Sequence, residues 1–228
     1  MTIQDNLNHQ NIDLWNELSS QFDFRLVYSE KEISWRVNNE TDPIEIYTSS
    51  KEPDLPSFTH ELLHVYIESK GMSSGRDILN SMYGTDSFQI LTSNGLFARI
   101  HNYCSHTKMF PYFKEMGFDE STFIADRIKF GAVSYYILRI MFSFKKTLPL
   151  AVTDFIGNTM ALFNDNESAN QQNTLKSLKK LQKINPSLFK IVEAFNIRWR
   201  NSEDFNLSYY FTEFDNELNE WLIENKIL

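Results

Sequence analysis

Glycine and proline are scarce in this chain, seven and six among 228 residues, and that scarcity narrows the architectures open to it. An all-β fold reverses direction every ten residues or so and draws on both residues to do it. Strand-like runs are instead confined to the first quarter: 24–29 (FRLVYS), 33–37 (ISWRV) and 44–48 (IEIYT), each short, rich in β-branched and aromatic residues, and bounded by polar clusters. Beyond them the apolar residues recur at helical spacing. The expectation is an α+β fold in which a small N-terminal β-sheet packs on a helix and a mostly helical C-terminal half follows.

The helices have readable ends. Asp54 or Ser57 can cap a helix over 56–70 that Pro56 helps to open and Gly71 closes. A second helix is expected over 88–110, ending where Pro111 interrupts the hydrogen-bond ladder. Asp119 or Ser121 should start a long apolar helix to about Lys146, and Pro149 separates it from another over 150–163. Residues 164–173 (NDNESANQQN) are the most linker-like. Leu175, Leu178, Leu181 and Ile184 then repeat at helical spacing between lysines, Pro186 opens a further helix, and 211–227 alternates acidic and apolar residues.

The formal net charge of -8 and pI near 5.2 lack the basic footprint that a phosphate backbone requires. The opening residues, MTIQDNLNHQNIDLW, have no basic stretch followed by an apolar run, as a secretion signal would. The longest apolar tract, 130–144 (FGAVSYYILRIMFSF), carries Arg139 and is too short to span a bilayer. The expected setting is cytoplasmic, with neither nucleic acid nor membrane among the partners. Cys104 is the only cysteine, so any metal must be held by histidine and carboxylate.

One motif supplies such ligands. In the 56–70 helix His60, Glu61 and His64 spell HExxH. Histidines four apart lie about 40° apart around a helix, close enough for both imidazoles to reach one zinc ion. The glutamate between them projects beside the ion, where it can take a proton from a zinc-bound water. Phe58, Leu62 and Val65 give the helix an apolar back, while His60, Glu61, His64 and Glu68 form its front. The plainer reading is an amphipathic helix that spells these letters by accident.

On His60, Glu61 and His64 the chain resembles the HExxH zinc metallopeptidases called zincins. Lys70 stands six residues after His64 and Ile67 stands where the elongated metzincin motif has glycine, so the resemblance is to the short, gluzincin-like or minimal form. It implies a mixed sheet packed on the motif helix, a third zinc ligand from a later helix, and a sheet edge strand that pairs with an extended peptide or protein substrate. The strand at 44–48 is the candidate edge. On this basis 1–228 is expected to be one zincin-like domain, with sheet and metal-site helices in 1–118 and helical completion in 119–228.

Candidates for the third ligand are His106, His101, Glu68 and a later carboxylate such as Asp126. His106 is preferred because it shares a helix face with Arg99, Asn102, Tyr103 and Phe110, whereas His101 points elsewhere. The run Asn102-x-x-x-His106, followed by a proline and a Gly-Phe turn, is also similar to a segment after HExxH in some bacterial zincin-like proteins. A histidine departs from the gluzincin pattern, whose third ligand is glutamate. The plainer reading of His106 is a helix-end histidine favoured by the dipole near Pro111.

The implied function is a zinc-dependent hydrolase, above all a metallopeptidase, with Glu61 as general base and Tyr103 and Arg99 as transition-state donors. The alternative is a zincin-like metal-binding domain with a regulatory or partner-binding role and no peptidase activity. A third reading is a helical interaction domain that uses Tyr209, Tyr210 and Phe211, although such aromatics at helical spacing are expected mainly in the core.

Overall fold

The computed structural model describes residues 1–32, 34–123, 135–163 and 171–227. In order they form α1 (Ile12–Ser19), β1 (Phe24–Tyr28), β2 (Arg36–Asn38), β3 (Ile44–Thr48), α2 (Leu55–Ser69), α3 (Gly75–Ser81), α4 (Asp86–Thr92), α5 (Leu96–Glu115), α6 (Tyr135–Met141), α7 (Leu148–Phe163), α8 (Gln171–Ile184), α9 (Pro186–Asn201) and α10 (Leu207–Glu224). The fold is therefore α+β, a small N-terminal sheet followed by helices. Among the described residues no helix is long and apolar enough to cross a membrane. The contacts divide the chain into two compact units, Met1–Met72 with Lys108–Ala125, and Ser73–Thr107 with Asp126–Leu228.

In the first unit the sheet order is β1-β3-β2. β1 runs parallel to β3, from Phe24 opposite Ile44 to Tyr28 opposite Thr48, and β2 runs antiparallel, with Arg36 opposite Tyr47. This corrects the expectation that 44–48 is the edge strand: β3 is central and both its edges are already paired. Its side chains explain the placement, since Ile44, Glu45, Ile46 and Thr48 are all buried, a pattern that suits a strand covered on both faces. The buried Glu45 pairs with the Arg25 guanidinium and accepts from the Tyr47 hydroxyl, and those hydrogen bonds, Tyr47 foremost, hold its carboxyl below the usual range. The second strand is shorter and later than 33–37, and Ile33 lies outside the described residues.

α2 forms as its caps predict. Asp54 accepts from the Ser57 amide at 3.2 Å and from the Ser57 hydroxyl at 2.7 Å. At the other end Gly71, at φ 103°, donates to Glu68 while Met72 donates to Ile67, the paired bonds of a Schellman stop that glycine adopts without strain. The apolar back, Phe58, Leu62, Leu63 and Val65, is buried, with Phe58 set among Trp15 and Trp35 at ring separations of 6.3 and 6.0 Å.

The expected helix over 88–110 is wrong at both ends. Asn94 and Gly95 both take left-handed backbone, at φ 51° and 64°, which separates α4 from α5. At the other end α5 continues through Pro111 to Glu115. A proline there forfeits one ladder bond at a cost of about 3 kcal/mol, but Met109 and Phe113 on either side are fully buried. Each such side chain contributes about 2–3 kcal/mol, enough together to carry the helix past the break. Phe113 stacks on Phe118 at 4.9 Å and meets Phe123 edge-on at 5.1 Å.

In the second unit α7 and α9 fall where expected, whereas α8 takes in Gln171 to Asn173 of the expected linker and α10 starts at Leu207 rather than 211; the core contains Phe155, Phe195, Trp199, Phe211 and Phe214. Trp199 donates its indole N–H to the Cys104 carbonyl at 3.0 Å. Phe211 is fully buried, whereas Tyr209 is exposed and Tyr210 half-buried, so only the phenylalanine of that trio is core. The single helix expected from 119 to 146 is not continuous. Asp119 does cap a turn by accepting from the Ser121 amide, but only a single 3-10 turn follows at Glu120–Thr122. Residues 124–134 of the expected helix lie outside the described residues. α6 then ends at Met141, where the Thr147 hydroxyl donates to the Met141 carbonyl at 2.7 Å and competes with the helix ladder. The two short helices α1 and α3 were not anticipated.

Candidate metal centre

α2 sets His60 and His64 on successive turns, with ring centroids 5.0 Å apart and planes at 73°. His60 and Glu61 are buried and His64 is half-buried. His106, on α5, is buried as well. One ring nitrogen from each of the three histidines lies within 4.8 Å of the others, the one such group among the described residues.

The three histidines could hold a metal ion, and imidazole nitrogens are donors that zinc accepts. Nitrogens bound tetrahedrally at about 2.0–2.1 Å from zinc stand roughly 3.4 Å from one another, so the rings need to draw in by about 1 Å or somewhat more. Held by these three imidazoles, a four-coordinate ion would keep one position for water or substrate, as catalytic zinc sites do. The preceding residue is also held in place: Thr59 donates to the Leu55 carbonyl at 2.7 Å and accepts from Asn11 at 2.9 Å. Phe123 packs its ring 5.0 Å from that of His60, and Phe110 meets Phe123 at 5.2 Å, forming an apolar wall.

The other ligand candidates lie elsewhere. Glu68 is turned toward the β2–β3 connection, where partial burial lifts its carboxyl above the usual range; an Asn39 hydrogen bond opposes the shift and Glu40 adds to it. His101 has Nε2 3.0 Å from the Ser73 carbonyl, and burial pulls its pKa down despite that bond. Asp126 lies outside the described residues. Tyr103 and Arg99 precede His106 on α5 by one and two turns, about 4.5 and 10.5 Å along the axis. Both line a pocket of about 540 Å³ with Gly75, Leu79, Phe97 and His101. Arg99 also tempers the upward shift that burial imposes on Asp154.

Sequence reasoning missed Arg36. Its guanidinium pairs with Glu32 at 3.1 Å and lies 4.4 Å from the centre of the Tyr47 ring, and the Glu61 carboxylate is among the charges that raise its pKa, after Glu32 and Tyr47. No local pattern marks this residue, because its place depends on the register of β2 against β3. Phe123 was also missed, and there the only signal was its position shortly after the Gly117-Phe118 turn. No protein-family model, no curated protein and no solved structure matches this chain, so the geometry of these residues carries the functional reading.

Proposed function

We propose that this chain is a zinc-dependent hydrolase of the metallopeptidase kind, with His60, His64 and His106 as ligands and Glu61 as general base. The observation that supports it is the approach of His106, from a helix remote in sequence, to within 4.8 Å of the two motif imidazoles. An accidental HExxH has no reason to meet a third buried histidine.

When bound, zinc supplies the Lewis acidity that polarises a carbonyl and makes a water acidic near neutral pH. The chain supplies the rest. Glu61, buried beside His60, accepts a proton on its carboxylate from the attacking water and returns it to the leaving amine. The Arg36 guanidinium, whose pKa the Glu61 charge helps to raise, is a positive group in the field of that carboxylate. Tyr103, one turn before His106, is the nearer donor for charge developing on the carbonyl oxygen, and Arg99 the more remote. β2 packs on α2 and, among the described residues, has one edge without a strand partner, so it takes the role first expected of β3, that of pairing with an extended peptide.

The test is zinc content by elemental analysis, measured without chelator, for the wild type, His60→Ala and His106→Ala, followed by cleavage of a peptide library. About one zinc per chain, lost in both variants, with cleavage abolished by Glu61→Gln, is the expected result. Zinc without any cleavage would favour the regulatory metal-binding reading. A wild type that holds no zinc would sink both.

A further inference from the structure

We propose that α6, the turn after it and α8 form a docking surface for an anionic lipid bilayer. This goes beyond the hydrolase reading and does not depend on it.

Charge is distributed unevenly along the chain. Residues 135–184 hold seven Lys or Arg against three Asp or Glu, while the rest of the chain holds fifteen against twenty-seven. A basic segment inside an acidic protein is set apart from the repulsion that the whole molecule presents to a negative surface. α8 has no acidic residue, and Lys176, Lys179, Lys180 and Lys183 fall within an arc of about 100° on its helical wheel. Opposite that arc Leu181 is fully buried, so the lysine face is the outer one.

Apolar side chains are exposed on the neighbouring α6 and in the turn after it. On α6, Tyr136, Ile137 and Ile140 are 73%, 50% and 39% exposed, on the side opposite the buried Leu138, and Phe144 in the following turn is 59% exposed next to Lys145 and Lys146. The two helices pack together, and the Lys180 ammonium lies 5.0 Å from the centre of the Tyr135 ring, so the basic face of α8 borders α6. Lysines around protruding aromatic and aliphatic side chains are what an interfacial segment uses: the apolar groups enter the headgroup boundary and the ammonium groups meet anionic lipid. Peripheral docking needs no spanning helix. A nucleic acid would use the lysines but would leave Ile137, Ile140 and Phe144 without a role.

The test is co-sedimentation of the full chain with phosphatidylcholine vesicles and with mixed phosphatidylcholine–phosphatidylserine vesicles, at low and high salt. The expected result is pelleting with the mixed vesicles at low salt only. Lys176→Gln combined with Lys179→Gln should weaken partitioning by roughly 25-fold, about fivefold per lysine. Ile137→Ser combined with Phe144→Ser should weaken it at least about tenfold. All four positions are exposed, and an unchanged circular dichroism spectrum will confirm that the variants fold. Equal pelleting with neutral vesicles, no pelleting with either kind, or no effect of the lysine pair would overturn the proposal. Equally tight binding of a short DNA duplex that is indifferent to the Ile137 and Phe144 changes would assign the surface to nucleic acid instead.

Discussion

Asn11 donates from Nδ2 to the Thr59 hydroxyl at 2.9 Å, which fastens α1 to the residue directly before His60. The same amide group donates to the Asn6 carbonyl at 2.9 Å, and its oxygen accepts from the Asn8 amide at 2.9 Å. The side chain is fully buried, and its bonds to Thr59 and Asn6 are shielded from water, the one from Asn8 partly so. Asn11→Ala would strand their partners and should cost about 2–3 kcal/mol. For a chain of this size that lowers the midpoint of thermal unfolding by roughly 5–10 °C. A midpoint equal to that of the wild type would show that α1 does not brace the motif helix.

His101→Ala separates the two histidines of α5 by role. Because the His101 ring is engaged with the Ser73 carbonyl and lies outside the three-histidine group, zinc stoichiometry should be unchanged while the thermal midpoint falls. Loss of zinc in this variant would move the third ligand from His106 to His101.

Gly71→Ala tests the stop of α2. An added Cβ would meet nothing within 4 Å, so the whole effect arises from holding alanine at φ 103°. The expected loss is about 1–2 kcal/mol in a denaturant titration. A neutral substitution would mean that the stop can rearrange.

Asp215 gives a pH signature in the second unit. Burial raises its carboxyl pKa, and hydrogen bonds from the Ser87 and Thr85 hydroxyls and the Asn219 amide offset only part of the shift. A carboxyl raised in the folded state binds protons more readily there than in the unfolded chain, where it titrates near 3.8. Its contribution to stability therefore improves as pH falls through the folded pKa and levels off below the unfolded one. Asp215→Asn removes this dependence, so thermal midpoints at pH 7 and pH 4 should place the variant higher relative to wild type at pH 7. A difference independent of pH would contradict the burial argument.

The parts of the fold that are legible in the sequence are those with local causes. Asp54, Pro56 and Gly71 bound α2 through bonds within a few residues, and HExxH is local by construction. The strand at 44–48 is equally readable as a strand, but its central place depends on partners that pair from both sides. Pro111 misled because the rule that it ends a helix weighs one lost bond, whereas the outcome followed from the burial of Met109 and Phe113. His106 could be assigned to a face of its helix, yet its approach to His60 and His64 depends on packing that no local pattern encodes.

The spacing of those three histidines along the chain has a thermodynamic side. His60 and His64 are neighbours, whereas His106 lies some forty residues further on, so an ion held by all three would close a loop of that length, as a disulfide does. Cross-linking a loop of about forty residues removes unfolded-state freedom worth about 4 kcal/mol. Under the proposed ligation, occupancy and resistance to unfolding rise and fall together, and a chelator would soften the protein even where Glu61→Gln has already silenced it.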